Sequence, residues 1–448
     1  MKIKRLIVEK LYGVYNYDVL FNSDITFLYG ENGCGKTTIL NITGAIVTGK
    51  LYLLFDYDFK SVELIYGVSE SIMIVHKGDS LEITYGIRDK RVQQNLPNNF
   101  EEFCKQKNSN IHIATIKYME TYPFLKKICE IFNYVYLPLD RSYKLDVCYG
   151  EELGFFGSLY SMYRFDELGK NQDTNISIMQ ISEMIFDKYN IINRNLAIIN
   201  NQFRDSILQS FSEIYDIKDA TRLIKDIFSD KEQTVKKVRG IQSAYVNILK
   251  DLNILNRINL NKYENFFEEF IKDLNSIVNN KNINKRQGFE KIVTLLIKLQ
   301  ELNRLDGIIK FANDIEKKKE KVKKPLEDFL SIVNSFIGTS STKKEIKLSR
   351  DGKPFLSVND KKRIDIKYLS SGEKQIVIFF AYLILNLKQG QNGIFIVDEP
   401  EMSLHLYWQK IFVDKIIEAN PNIQILFATH APEIIGRRRD KMVKLVRQ

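Results

Sequence analysis

Residues 30–37 read GENGCGKT, directly after the apolar run ITFLY (25–29) and directly before a helical pattern beginning near Lys36. The spacing of Gly30, Gly35, Lys36 and Thr37 fits GxxxxGK[ST] in the strand–turn–helix context that this pattern requires. Glycines let successive backbone N–H groups curl around an anion, and a helix N-terminus adds positive potential. The turn through Gly30, Glu31, Asn32, Gly33, Cys34 and Gly35 into Lys36, Thr37 and Thr38 therefore reads as a phosphate cradle. In it Lys36 neutralises β- and γ-phosphates and Thr37 offers a hydroxyl to Mg²⁺. At Cys34 only the backbone is required, so a permissive filler is preferred to a thiol-sensitive switch.

Outward from this turn, the first 50 residues alternate as strands do, with IKRLIV and YNYDVLF preceding DITFLYG. SVELIYG, SIMIVHKGD and SLEITYGI (within 61–88) predict an antiparallel sheet with tight turns, and YVYLPLDR (134–141) a further strand. From about Asn175 the apolar period lengthens from two to about 3.5: Ile181, Ile185, Tyr189, Ile192, Leu196, Ile199, Phe203, Ile207, Phe211 and Ile214 share one stripe. Shorter helical patterns cover Val235–Leu252, Tyr263–Ile277 and Ile292–Ile309. Past Pro325, EIKLSRDGKPFLSV resembles a hairpin turning at Asp351-Gly352. The remainder alternates β and α, as in a mostly parallel sheet. The expected organisation is an α/β chain with an N-terminal lobe (1–150), a helical, partly coiled-coil insertion (151–335) and a C-terminal lobe (336–448).

Three further motifs lie in the last lobe. The strand IFIVDE (394–399) ends in two acids: Asp398 suits Mg²⁺, and Glu399 can orient and deprotonate a water. Ala428-Thr429-His430 closes another apolar strand, where an imidazole can sense a γ-phosphate. YLSSGEKQ (368–375) opens a buried helix with Ser370, Ser371, Gly372 and Glu373, a second turn suited to anionic oxygen. One nucleotide cannot use both turns if the first encloses its own side of the triphosphate. Two copies of the chain arranged head to tail can, with Ser370 and Gly372 closing on ATP held by the partner's Lys36.

GENGCGKT, LSSGEKQ, IVDEPEMSLH and ATHAPEII together resemble the Walker A, signature, Walker B with D-loop, and switch histidine of ABC-type ATPases. Within that class they are most similar to the OLD-, SMC- and RecF-like branch, and DEPExSLH with ATHxPEII resembles the ATPases of OLD nucleases and of the anti-phage systems PARIS and Septu. The resemblance covers roughly residues 1–50 and 365–445. It implies an ABC-type P-loop ATPase head with ATP and Mg²⁺, Lys36, Glu399 and His430 as catalytic residues, and Thr37 and Asp398 at the metal. OLD proteins continue into a TOPRIM nuclease domain, for which little chain follows His430, so any nuclease is expected on another polypeptide. The family's Q-loop glutamine has only Gln93 and Gln94 as weak candidates.

The bulk numbers narrow the alternatives. A net charge of +10 permits contact with DNA without demanding it. Cys34, Cys104, Cys129 and Cys148 form no CxxC pair, as expected of free thiols in a cytoplasmic protein. The apolar run Ile376–Leu387 falls short of the about 20 residues that span a bilayer, so no membrane is expected. The expected role is a homo-oligomeric ATPase governing a separately encoded effector, a nuclease or toxin, in anti-phage defence. The alternatives are a RecF- or SMC-like repair ATPase clamping duplex DNA, and a scaffold that binds ATP with little turnover. Alternating Tyr12, Tyr15 and Tyr17 read as packing rather than as an adenine platform. The tract EKKKEKVKKP (316–325) reads as a solvated helix face, and Arg437–Arg439 as structural.

Overall fold

The computed structural model describes residues 1–87, 90–105, 111–132, 134–137, 146–147, 174–212, 231–251, 259–279, 285–338, 343–386 and 393–446. The expectations for Cys148, for residues 138–141 and for 151–173 lie outside them. The chain forms two compact units, one of Met1–Asn190 with Pro325–Gln448 and the other of Ile191–Lys324.

The first unit begins with β1 (Ile3–Leu11), β2 (Tyr15–Leu20) and β3 (Ile25–Tyr29), then β4 (Ser61–Tyr66), β5 (Glu70–Lys77), β6 (Ser80–Ile87) and β7 (Lys90–Pro97). Short β8 (Tyr134–Leu137) and β9 (Asp146–Val147) follow. After the helices come β10 (Lys344–Leu348), β11 (Pro354–Val358), β12 (Lys362–Asp365), β13 (Ile394–Asp398), β14 (Gln424–Ala428) and β15 (Met442–Lys444).

Three sheets result. An antiparallel one runs β2-β1-β4-β5-β6-β7, a small one β10-β11-β12, and a third β15-β3-β14-β13-β8-β9, parallel except where β9 joins β8. The antiparallel sheet is the one expected over residues 61–88, extended by β1, β2 and β7. Its inner face carries Leu6, Val8, Val62, Leu64, Ile72, Ile74, Leu81 and Ile83, spaced by two as the pleat demands. Against them lies the helix Lys36–Val47, through Ile39, Leu40, Ile42 and Ile46. The central strands β13 and β14 are buried at every residue, the mark of a parallel sheet covered on both faces.

The expected long helix spans Thr174–Ser212. Its Tyr189 hydroxyl donates to the Arg350 carbonyl at 3.0 Å, on the turn joining β10 to β11. In that turn Gly352 has φ +88, and a Cβ there would lie 2.1 Å from the Tyr189 ring. The last helix before β10 is longer than its sequence pattern indicates, running Lys285–Ile337 through Pro325. Proline removes one backbone hydrogen bond, a cost of about 3 kcal/mol in a helix interior. Just beyond it Phe329, Ile332, Val333, Phe336 and Ile337 are buried, with Phe336 against Phe380 and Trp408. That burial holds the helix past the defect. In the second unit, helices Lys231–Asp251 and Leu260–Asn279 share a core with the earlier part of this last helix through Ile241, Phe267, Phe270, Leu274, Leu299 and Leu302.

Gly352→Ala should lower stability by roughly 1–3 kcal/mol, from the positive φ together with the Tyr189 ring. Urea unfolding followed by tyrosine and tryptophan fluorescence checks this. An unchanged midpoint would show that the turn yields freely.

Candidate nucleotide site

Registry in the parallel sheet assembles the site. Leu28 pairs with Ala428 and Ala428 with Asp398, so β3, β14 and β13 end side by side. The loops that follow them carry Gly30–Thr37, Thr429–His430 and Glu399. Three motifs far apart in sequence thus meet at one sheet edge.

Gly33 and Gly35 hold φ of +77 and +96, values that side chains resist. At Gly35 space forbids a Cβ as well, because one would lie 2.7 Å from the Tyr17 hydroxyl. Tyr17 is buried and donates to the Cys34 carbonyl at 3.0 Å. It is the floor of the cradle. Tyr12 is exposed and Tyr15 half-buried against the core. Gly35 caps the following helix without a side-chain acceptor, so the N–H groups of its first turn face outward for an anion.

The Lys36 ammonium, 6% exposed, donates to the Gly30 and Glu31 carbonyls at 3.1 and 3.2 Å and lies 4.0 Å from the Cys34 sulfur. Among the described residues it has no carboxylate partner within ion-pair distance. Its charge is held over the loop by neutral dipoles.

Asp398 is 5% exposed, and neither carboxylate oxygen has a hydrogen-bond partner. Burial, with the charges of Glu399 and Glu401 added, raises its pKa to about 6. The Thr37 hydroxyl and Lys36 pull the other way, although the hydroxyl does not complete a hydrogen bond. Two bare buried oxygens beside an exposed hydroxyl fit a hard cation shared with phosphate, the manner in which Mg²⁺ is usually held. Asp398 and Thr37 are the residues that would hold it.

Glu399 adopts a left-handed backbone, φ 43 and ψ 60, and its N–H donates to the Ala428 carbonyl at 2.8 Å. Non-glycine residues pay for this conformation, and it recurs at functional sites. The carboxylate comes within 3.6 Å of His430 Nε2, with both side chains partly open to solvent. A residue to which no role fell in the sequence reading, Glu401, joins them. Its Oε1 accepts from Thr429 Oγ1 at 2.7 Å, His430 N at 2.8 Å and Ala431 N at 3.1 Å. The only sequence signal was the third acid of Asp-Glu-Pro-Glu.

The signature turn is built separately. Ser370 caps the helix Ser371–Phe380 by accepting from Glu373 N, and Glu373 accepts from Ser370 N at 2.8 Å, a reciprocal capping box. The other Glu373 oxygen meets Lys344 at 3.1 Å. Burial opposes its ionisation, but the Ser370 amide, Lys344 and the Ser370 hydroxyl together hold its pKa below the usual carboxylate range. Both oxygens are engaged within the chain, while Ser370 and Ser371 are exposed and Gly372 is buried. Gln93 and Gln94 lie on β7 opposite Thr84 and Ile83, at the edge of the antiparallel sheet.

With this geometry in hand, comparison with known proteins gives the class. The chain belongs to the AAA_15 family, an AAA ATPase domain whose sequence profile matches residues 1–435. It is similar to the retron Vc95 probable ATPase of Vibrio cholerae serotype O1 biovar El Tor, 27% identical over 201 residues. That match takes in 41% of this chain and 38% of the relative. Two solved structures align along nearly the whole chain. One is the Smc head domain with a coiled coil and joint from Pyrococcus yayanosii, at 13% identity and TM-score 0.35, covering 99% of this chain and 94% of that one. The other is the Smc head domain bound to the C-terminal domain of ScpA from Pyrococcus furiosus, at 12% identity and TM-score 0.36, covering 99% and 93%. No helix among the described residues is long and apolar enough to cross a membrane.

Two outcomes are expected here. Because the folded pKa of Asp398 lies above its ordinary value, protonation favours the folded state. That contribution is complete below about pH 4 and lost as pH rises through about 6. In EDTA, Asp398→Asn should flatten this slope and raise stability at pH 8 by up to about 3 kcal/mol. Melts at pH 4, 6 and 8 measure it, and parallel curves for parent and variant would refute it. Tyr17→Phe leaves the Cys34 carbonyl without its donor and should cost about 1–3 kcal/mol in denaturant unfolding; a loss below a few tenths would deny Tyr17 the role of floor.

Proposed function

We propose that the chain hydrolyses ATP with Mg²⁺ at interfaces between two copies of itself, and that this assembly controls a separately encoded effector in anti-phage defence. The observation that carries the hydrolytic part is the meeting of Lys36, the bare Asp398 carboxylate, Glu399 and His430 at one sheet edge.

In this reading the helix N-terminus and Lys36 bind the β- and γ-phosphates. Thr37 and Asp398 would hold Mg²⁺, which would supply positive charge against the phosphates. Glu399 accepts a hydrogen bond from the attacking water, aligns it on the γ-phosphorus and takes its proton as the P–O bond forms and the bond to the bridging oxygen breaks. His430 Nε2 meets the γ-phosphate and reports its presence to the loop that follows.

The head-to-tail part rests on the second turn suited to anionic oxygen, exposed at Ser370 and Ser371, which a nucleotide enclosed by its own cradle leaves unused. Ser370, Ser371 and the amide of Gly372 would close on a nucleotide held by Lys36 of the second copy, beside Tyr368, which is 70% exposed. Glu373 then acts through the cap that shapes this turn. The defence role rests on the resemblance of DEPExSLH and ATHxPEII to the ATPases of OLD nucleases, PARIS and Septu, and the relative named as a retron ATPase accords with it.

Glu399→Gln should lower turnover by about 100-fold or more, since it removes the general base. With ATP it should double in mass by light scattering after gel filtration, and with ADP it should not. Turnover equal to the parent would discard Glu399 as the base, and a monomer under ATP would discard the bridged assembly. Affinity capture of this variant from its native cells should recover one stoichiometric protein. Recovery of duplex DNA in its place would favour a DNA clamp.

A further inference from the structure

We infer that Glu401 is the positioning residue for hydrolysis, holding His430 at Glu399 by pinning the loop that carries the imidazole; the inference rests on the hydrolytic reading above. One oxygen, Oε1, collects the Thr429 hydroxyl and the His430 and Ala431 amides, at 2.7, 2.8 and 3.1 Å. Three donors from consecutive residues restrain the loop in rotation as well as in position. The Thr429 hydroxyl in turn accepts from Ala431 N at 3.0 Å, closing the turn on itself.

Glu401 is itself well anchored. It lies in the short helical turn Pro400–Ser403 that follows Glu399 directly. The Gln409 amide ties that turn to the next helix by donating to the Leu404 carbonyl at 2.9 Å and to the Glu401 carbonyl at 3.4 Å. Glu399 and the anchor of His430 are thus two residues apart on one rigid turn.

Two features argue for more than a local fastening. The Glu399–His430 approach is 3.6 Å, just beyond a hydrogen bond, so a small displacement of the loop would part them. Glu401 Oε2 is buried without a partner, and its charge adds to the burial that raises the Asp398 pKa. A carboxylate accepts three donors on one oxygen more strongly than an amide does, and charge-assisted bonds are shorter. Position is the property retained at that cost.

The test uses the full chain with Mg·ATP. Parent, Glu401→Ala, Glu401→Gln, His430→Ala and the Glu401→Ala/His430→Ala double variant are compared for kcat and KM, and for affinity towards a fluorescent ADP analogue. Glu401→Ala should lower kcat by about 30-fold or more, with KM and ADP affinity within about threefold of the parent, as expected of a misplaced group outside the binding contacts. Glu401→Gln, whose amide oxygen still accepts, should recover the rate to within about fivefold. In the His430→Ala background, adding Glu401→Ala should cost less than about threefold more, because both act through one imidazole.

Multiplicative losses in the double variant, or a Glu401→Ala enzyme with unchanged kcat, would overturn the inference while leaving the hydrolytic reading intact. A fully active His430→Ala enzyme would remove the role of His430 and this inference with it. Should Glu401→Ala not fold, Glu401→Asp decides, since the shorter side chain cannot reach all three donors: it should lose rate where Gln does not, and equal rates would count against positioning.

Discussion

The pairing of β14 between β3 and β13 is the constraint from which the site follows. All three strands run parallel and in register, so Leu28, Ala428 and Asp398 stand in one row and their loops leave the sheet together. A slip of one residue would turn buried side chains of two fully buried strands to the wrong face, which makes the register costly to lose. Aromatic packing on one face reinforces it: Phe27 stacks on Phe427 at 5.6 Å, Phe379 meets Phe395 at 4.6 Å, and Phe412 lies against both Phe379 and Phe427. The geometry of the candidate site is here a by-product of sheet geometry.

That row concentrates negative charge. Asp398, Glu399 and Glu401 fall within four residues, and the cation whose field reaches Asp398 most directly, Lys36, is bound by carbonyls rather than by an acid. Within this acidic row three buried carboxylate oxygens have no hydrogen-bond partner among the described residues, two on Asp398 and one on Glu401. Such groups cost folding free energy, and Glu399 adds backbone strain. The apolar core of the first unit must offset all of this. Sites that bind cations and anions together commonly carry such unmet demand, because the ligand satisfies it.

A run of direct contacts also joins the first long helix to the signature turn. Tyr189 holds the Arg350 carbonyl in the turn between β10 and β11. Lys344, at the start of that hairpin, meets Glu373, and Glu373 caps the helix whose first residues are expected to face a second nucleotide. Each link is a hydrogen bond or ion pair within the first unit.

Much of this was legible in the linear chain. The glycine spacing of the cradle, the apolar strand before two acids and the change of period near Asn175 each report a local backbone requirement, and local requirements leave periodic or fixed-offset signals. The strands of the antiparallel sheet and the helix Thr174–Ser212 were readable for the same reason. Other features were not. The helix through Pro325 persists because Phe329, Val333 and Phe336 are buried, a long-range fact that proline's local preference contradicts. Tyr17 became the floor of the cradle only through contact between the two sheets, and Glu401 the clasp on His430 only when β13 and β14 came into register. Sequence determined which residues could bind phosphate, metal and water, because those capacities belong to single side chains and short turns. Tertiary structure alone decided which of them meet, because distance between side chains is set by packing and register rather than by order along the chain.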